Sequence, residues 1–309
     1  MKKSKLFYAS IAIVLLLISS CNKDGKNSVK NIAVIDNNAS KAVTVKLKSM
    51  EKRAFSIGCH VFSSTTFNAE NKAFGYMGCD GIYHIIDLEN GTAIKRIPLP
   101  ETISFAVLDN LRNLLIGHYY VGGSTPYDGT DHILTVNLDN GNIVLNRQFY
   151  VGGLWEGTTW FFRDVENEYV LIRRVRAENG WEMIGNELVF INASTGQVIR
   201  TLGLDTDVGN GVYDKRNNRL IGSTYSNETG KNYIVAVDLN TGNTLSRVVA
   251  QGLGPHLGGE MDYDTETNSY ILVSAENEVL FFDVETGEIK ERYQLDFNIT
   301  SLQFWRSKR

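Results

Sequence analysis

The amino-acid sequence predicts an all-β fold built from repeated four-stranded units. Three observations carry that expectation. A turn of the form Asx-x-x-x-Gly recurs at a long, nearly regular period. A second turn falls in register between its copies. The segments between the turns are short runs rich in Val, Ile, Tyr, Phe and Thr, which suit a pleated, half-buried surface. No segment sustains the 3.6-residue apolar spacing that a helical repeat would need.

The first turn appears as Asp87-Leu88-Glu89-Asn90-Gly91, Asn137-Leu138-Asp139-Asn140-Gly141 and Asn192-Ala193-Ser194-Thr195-Gly196. It returns as Asp238-Leu239-Asn240-Thr241-Gly242 and Asp283-Val284-Glu285-Thr286-Gly287, the glycines lying 50, 55, 46 and 45 residues apart. Asp36-Asn37-Asn38-Ala39-Ser40 reads as a degenerate sixth copy. Each full copy sits between two β-rich runs, such as 233–237 and 244–248 around Gly242. That arrangement is a hairpin. The Asx side chain accepts a hydrogen bond from the backbone two residues on, and glycine supplies the positive φ.

The second turn pairs Asp109 with Asn113, Asp214 with Asn218, Asp264 with Asn268 and, one residue shorter, Asp164 with Asn167. An apolar strand follows each. Every unit therefore holds four strands, here A to D. The D-x-x-x-N turn joins A to B, and the D-x-x-T-G turn joins C to D. Four-stranded repeats of about 40–50 residues are the blades of a β-propeller.

Together the two turns resemble quinoprotein-like and YVTN-type β-propeller repeats, over roughly residues 54–305. The resemblance implies the fold and no particular activity, because such blades host many functions. Five blades fall at 54–98, 102–150, 155–203, 207–250 and 258–295, followed by one more A-type strand near 300–305. Strands at 32–35 and 43–47 can complete a sixth blade from the other end of the chain, removing the open sheet edges. The expected fold is six four-stranded blades closed by N- and C-terminal strands, with five or seven as alternatives. One strand of the closing blade has no sequence candidate. With 32–35 as a C strand, the chain would enter the propeller from its long-loop face and hold that face near the membrane.

The N-terminus reads as an export signal. Lys2, Lys3 and Lys5 precede a run, 6–20, that is almost unbroken apolar or small. Fifteen residues are too few to span about 30 Å of hydrocarbon as a helix, so the run reads as a cleaved signal peptide. Ile18-Ser19-Ser20-Cys21 resembles the bacterial lipobox. The resemblance implies cleavage after residue 20 and thioether lipidation of Cys21, with palmitate among the acyl chains. Asn22 stands where an Asp would favour inner-membrane retention, which implies the outer membrane. Residues 21–30 then form a polar tether and 31–309 the propeller.

Losing residues 1–20, with three lysines and no acid, takes the formal charge from −4 to −7. No basic block exists, which argues against nucleic-acid binding. Besides Cys21 the chain has only Cys59 and Cys79. They flank a turn near Ala69, and an oxidising envelope permits a disulfide; two buried thiols are the alternative.

In this strand order the A–B and C–D turns share one face and are short. The B–C and D–A connections share the other face and are long, which is where function concentrates on a rigid scaffold. Candidate ligand-binding residues on that face are Tyr119, Tyr120, His132, Trp155, Glu156, Trp160, Arg173, Arg174, Trp181, Asn210, His256 and Glu260. Aromatics beside Arg suit protein or glycan contacts. Glu156, Asn210 and Glu260 recur near inner-strand entrances and could present oxygens to a divalent cation. This loosely resembles the metal site of six-bladed gluconolactonase-type enzymes, although no other motif of that family is present. No quinone-binding constellation, nucleophile elbow or paired His spacing is found. The expected function is a non-catalytic binding or assembly module for an envelope protein or glycan partner, without a cofactor. The alternative is a metal-assisted lactonase- or lyase-type enzyme with its site in the central channel.

Overall fold

The computed structural model describes residues 28–36, 40–61, 64–122, 129–151, 159–176, 183–253 and 257–308. The described residues form six antiparallel four-stranded sheets, the blades of a β-propeller. From the channel outward, the first blade is β4 (Thr66–Asn68), β5 (Ala73–Met77), β6 (Ile82–Asp87) and β7 (Ala93–Pro98). The second is β8 (Ser104–Asp109), β9 (Leu114–Val121), β10 (Thr130–Asn137) and β11 (Ile143–Val151). The third is β12 (Trp160–Arg163), β13 (Glu168–Arg176), β14 (Met183–Asn192) and β15 (Val198–Leu204). The fourth is β16 (Gly209–Asp214), β17 (Arg219–Ser226), β18 (Lys231–Asp238) and β19 (Thr244–Val249). The fifth is β20 (Leu257–Asp264), β21 (Ser269–Ser274), β22 (Glu278–Asp283) and β23 (Ile289–Gln294).

The closing blade joins the two ends of the chain. Its inner strand is β24 (Ile299–Lys308), followed outward by β1 (Ser28–Asp36), β2 (Lys41–Lys46) and β3 (Glu51–Ser56). The blade has four strands, as expected, and its missing strand is found in β3. One expectation is corrected: β1 is its B strand rather than its C strand. Ser28 pairs with Lys308, at the end where β24 finishes, so the chain enters on the short-turn face. Asp36–Ser40 is accordingly a B–C connection and not a sixth D-x-x-T-G turn. The true C–D turn is Leu47-Lys48-Ser49-Met50. Met50 takes the glycine's place at φ 56° and donates its N–H to the Lys46 carbonyl at 2.8 Å. The overlooked strand, β3, is Glu-Lys-Arg-Ala-Phe-Ser and almost wholly exposed. With Phe55 as its single half-buried apolar side chain, packed against the first blade, the strand has no apolar alternation to read.

Within each of the five blades that have both turns, the turns lock to each other. The turn glycines have φ between 67° and 78°, and each donates its N–H back to the Asx carbonyl, as Gly242 does to Asp238 at 2.8 Å. The last residue of the A–B turn is also left-handed: Asn113, Asn167, Asn218 and Asn268, and Lys72 in the first blade. Its carbonyl accepts the N–H of the buried second residue of the C–D turn, Leu138 to Asn113 at 2.9 Å and Ala193 to Asn167 at 3.0 Å. The A–B aspartates 109, 214 and 264 are at most 1% exposed. Each spends one carboxylate oxygen on turn N–H groups, as Asp109 does on Leu111 at 3.1 Å and Arg112 at 3.2 Å.

The turns also join neighbouring blades. Arg53, Lys95 and Arg147, on outer strands, donate to the carbonyls of Glu89 (3.2 Å), Asp139 (2.5 Å) and Thr195 (2.9 Å) in the next blade's C–D turn. A Cβ on Gly242 would lie 2.0 Å from the Gly203 carbonyl oxygen, and one on Gly287 2.1 Å from that of Val249. Glycine there supplies both the turn and the close approach between blades. The core divides into six apolar clusters, one per blade interface. One holds Ile32, Val34 and Leu47 of the closing blade against Ile271, Val279 and Phe281 of the fifth. Another holds Ile35 and Ala42 against Phe74 and Ile86 of the first.

Cys59 and Cys79 form a disulfide with their Cα atoms 5.5 Å apart. It ties the connection leaving β3 to the tight B–C turn of the first blade, beside the His60–Gly78 bridge. That B–C turn, 78–81, and the one at 275–277 in the fifth blade are short, so the long connections are unevenly distributed around the ring.

Two stability measurements check this account. Gly242→Ala is expected to cost about 3 kcal/mol, of which the left-handed backbone accounts for about 1–2 and the clash for the rest. Gly58→Ala, also left-handed at φ 72° but with open space at Cβ, should cost only the backbone share; equal losses in urea unfolding would remove the close-approach argument. Opening the disulfide, which closes a 20-residue span, by Cys59→Ser with Cys79→Ser should lower stability by about 3 kcal/mol, and an unchanged midpoint would show that it does not restrain the fold.

Candidate functional site

The six inner strands surround a channel with a cavity of about 350 Å³. Thr66, Leu108, Trp160, Val212, Glu260 and Gln303 line it, one from each inner strand. The cavity reaches the short-turn face at Asn110 and Thr265.

Two carboxyl groups face this space. Glu260 and Asp262 stand two residues apart on β20, so both project from the same side of the strand. Burial pushes Glu260 up to about 8, against a single opposing hydrogen bond from the Leu302 N–H. Burial likewise pushes Asp262 up to about 7, against hydrogen bonds from Phe304 and Tyr263. The Phe304 N–H lies 2.6 Å from Asp262 Oδ2. Asp264 continues the row. Its burial favours the neutral acid, but the Arg306 guanidinium overrides this and holds it below the usual carboxylate range. Arg306 meets it with two donors, at 2.9 and 2.5 Å. Thus Glu260, Asp262 and Asp264 grip alternate positions 302, 304 and 306 of β24. Adjacent inner strands share no backbone ladder, and these side chains supply one. At neutral pH a protonated Glu260 can also donate a hydrogen bond into the cavity.

A second cluster leads from the channel into the second blade. Trp160 lies 4.8 Å from Phe105, which stacks on His118 at 5.5 Å. His118 Nε2 is 2.6 Å from Asp131 Oδ1, and both residues are buried. Phe105 and Asn210 occupy bulges at φ 53° and 51°. Their turned-out carbonyls accept hydroxyls from buried tyrosines of the next blade, Tyr169 at 2.7 Å and Tyr270 at 2.6 Å. The bulges are thus joints between blades.

The sequence-derived candidates separate accordingly. Trp160 and Glu260 share the channel cavity. Asn210 is 9% exposed and committed to its bulge. Tyr119 is 6% exposed, lies in the core between the first and second blades and donates to Asn146 Oδ1 at 2.6 Å. His132 stacks on it at 4.8 Å, and burial lowers its pKa. The Tyr120 ring covers the backbone of Gly129. Arg173 pairs across the hairpin with Glu187, while Arg174 is exposed beside it. Cys21, Trp155, Glu156, Trp181 and His256 lie outside the described residues. For the cation set, Glu156 therefore has no described position, and no group of three His, Cys, Asp or Glu side chains converges among the described residues. Sequence reasoning missed Asp262, although Glu260-x-Asp262-x-Asp264 on a strand places three acids on one side. It also missed the His118–Asp131 pair, which only the register of β9 and β10 brings together.

Solved structures share this architecture. A protein of unknown function from Bacteroides caccae matches with a TM-score of 0.61 and 12% identity over 89% of this chain and 98% of its own. Kuenenia stuttgartiensis hydrazine synthase matches at 0.57 and 11% identity over 84% and 82%. The dihydro-heme d1 dehydrogenase NirN matches at 0.51 and 13% identity over 85% of this chain. The match spans only 63% of the NirN chain. At these identities the likeness shows the fold alone. No family model matches the chain, and no curated protein matches it.

The channel carboxyls have a consequence in pH. A carboxyl raised in the folded state binds its proton more tightly there than in the unfolded chain, so its stabilising effect is complete below the unfolded value and lost as pH rises through the folded one. For Glu260 that window runs from 4.5 to about 8. Glu260→Gln, whose amide oxygen can still accept from Leu302, should lessen the decline in melting temperature between about pH 5 and 8, Asp262, raised to about 7, supplying what remains. A decline as steep as in the parent would show that Glu260 does not titrate in this range.

Proposed function

We propose that this chain is a cell-envelope lipoprotein, anchored through Cys21 in the outer membrane, whose propeller is a non-catalytic binding or assembly module for a protein or glycan partner. One observation carries the reading: the two faces are built differently. On the short-turn face the recurring polar side chains are consumed by bonds within and between blades. On the other face the connections differ in length and sequence from blade to blade. They present exposed Val121 (45%), Tyr225 (41%) and Arg174. Aromatic rings and guanidinium groups are the side chains on which interface energy concentrates.

A second reading, a lactonase- or lyase-type enzyme working in the channel, draws on Glu260 alone. Its carboxyl, held up to about 8 in the cavity that Trp160 also lines, has the protonation state of a general acid at neutral pH.

Two measurements separate these readings. Tyr225→Ala with Arg174→Ala should weaken capture of the envelope partner by about tenfold or more while leaving the unfolding midpoint in place; undiminished capture would move the site off this face. Metal analysis of the mature protein tests the alternative, since a stoichiometric divalent ion that is lost in Glu260→Ala would overturn the binding-module reading.

A further inference from the structure

The short-turn face carries an apolar sector that the fold itself does not use. Leu111 (71% exposed) and Val165 (74%) sit at the A–B turn tips of the second and third blades. The corresponding tips of the first, fourth and fifth blades carry Glu70, Arg216 and Glu266. The outer strands of the same two blades begin, at the rim of that face, with Ile143 and Val144 and with Val198 and Ile199, 40–53% exposed. Ile94 and Leu245 continue the rim on the flanking blades. In the fifth blade the equivalent position is Lys290, and in the closing blade Arg53. Eight of the eleven exposed large apolar side chains among the described residues therefore lie on this face. Single exposed apolar residues are ordinary, but a cluster on one side of one face marks a surface for contact.

The chain's own path indicates what covers it. Ser28 emerges on this face, in the closing blade, which lies across the channel from the third blade. Cys21 is seven residues earlier, so the lipid attachment is at most roughly 24 Å away. We propose that the short-turn face docks on the bilayer that holds the anchor, with Leu111 and Val165 entering the headgroup region. The inference rests on the lipidation of Cys21. Anchor and apolar sector then hold opposite sides of one face, so the propeller lies flat and its long-loop face points away from the membrane. A contact of a few side chains suffices, because the short tether keeps the bilayer at high effective concentration. Charge does not supply the attraction. The chain beyond residue 20 carries −7, and on this face exposed acids (Glu70, Glu89, Asp139, Glu166) are mixed with exposed bases (Lys48, Arg112, Lys215, Arg216), so it has no basic patch. The surface that fits is zwitterionic lipid.

The test uses the lipidated mature protein in phosphatidylcholine vesicles with and without brominated acyl chains, comparing L111W and Y225W with the parent. The added tryptophan of L111W should lose emission in brominated vesicles, that of Y225W should keep it, and Val165→Glu combined with L111W should restore it. Quenching of Y225W alone would reverse the orientation, and quenching of neither would overturn the docking. Concentration-dependent sedimentation abolished by Val165→Glu would assign the sector to a second copy of the chain instead. Mass spectrometry of the same sample separates a failed anchor, seen as Cys21 without diacylglycerol, from an anchored protein that does not dock.

Discussion

The ring closes through one strand. β24 pairs with β1 from the opposite end of the chain, in register from Ser28–Lys308 to Asp36–Ile299 with one bulge. Every apolar cluster lies between two blades, so each blade is stable only with both neighbours in place. The closing blade contributes to two of the clusters, against the fifth blade and against the first. Without β24 the sheet of β1, β2 and β3 would have no inner strand, and both clusters would open to water. The acids of β20 add a second hold on β24, through Leu302, Phe304 and Arg306. Buried carboxyls in a channel invite a catalytic interpretation, but here their first employment is mechanical.

The repeated turns impose the complementary constraint. A blade twists, and its C–D turn must pass close to the outer strand of the blade before it. The glycine at that turn leaves room for a carbonyl, as Gly203 does against Gly242 and Val249 against Gly287. The preceding aspartate or asparagine satisfies the turn's N–H groups, and the A–B turn of the same blade satisfies the next one. The sequence signals used to recognise the fold are therefore the residues least available for function. This leaves the irregular connections, and the channel they surround, as the places where this propeller can differ from another.

The point of entry of the chain orders the remaining surfaces. Because β1 is a B strand, the entry of the chain at Ser28, the stereotyped turns and the Leu111–Val165 sector share a face. The variable connections stand on the opposite face of the ring. The disulfide between Cys59 and Cys79 strengthens that far side where the closing blade hands over to the first, one of the two junctions made by the closing blade.

Much of the fold was legible in the residues alone, because turn chemistry is local. Asx-x-x-x-Gly and D-x-x-x-N demand particular φ angles and hydrogen bonds within five residues, and their spacing implies four strands per unit and six units. Glu260 was picked out on its place at an inner-strand entrance, whereas Asp262, two residues on, was not. What sequence could not decide depended on partners distant in the chain. β3 went unseen because an outer strand is held by its neighbour's backbone and here buries only Phe55, in part, against the next blade. The assignment of β1 turned on its pairing with a strand some 270 residues away. Tyr119 and Asn210 looked like surface candidates and became core and joint, since burial is a property of the assembled ring. Motif and period were written in the sequence itself; on which face the chain enters the ring, and which polar groups are already spent, was decided only when the ends met, because both depend on contacts that exist nowhere until the ring is closed.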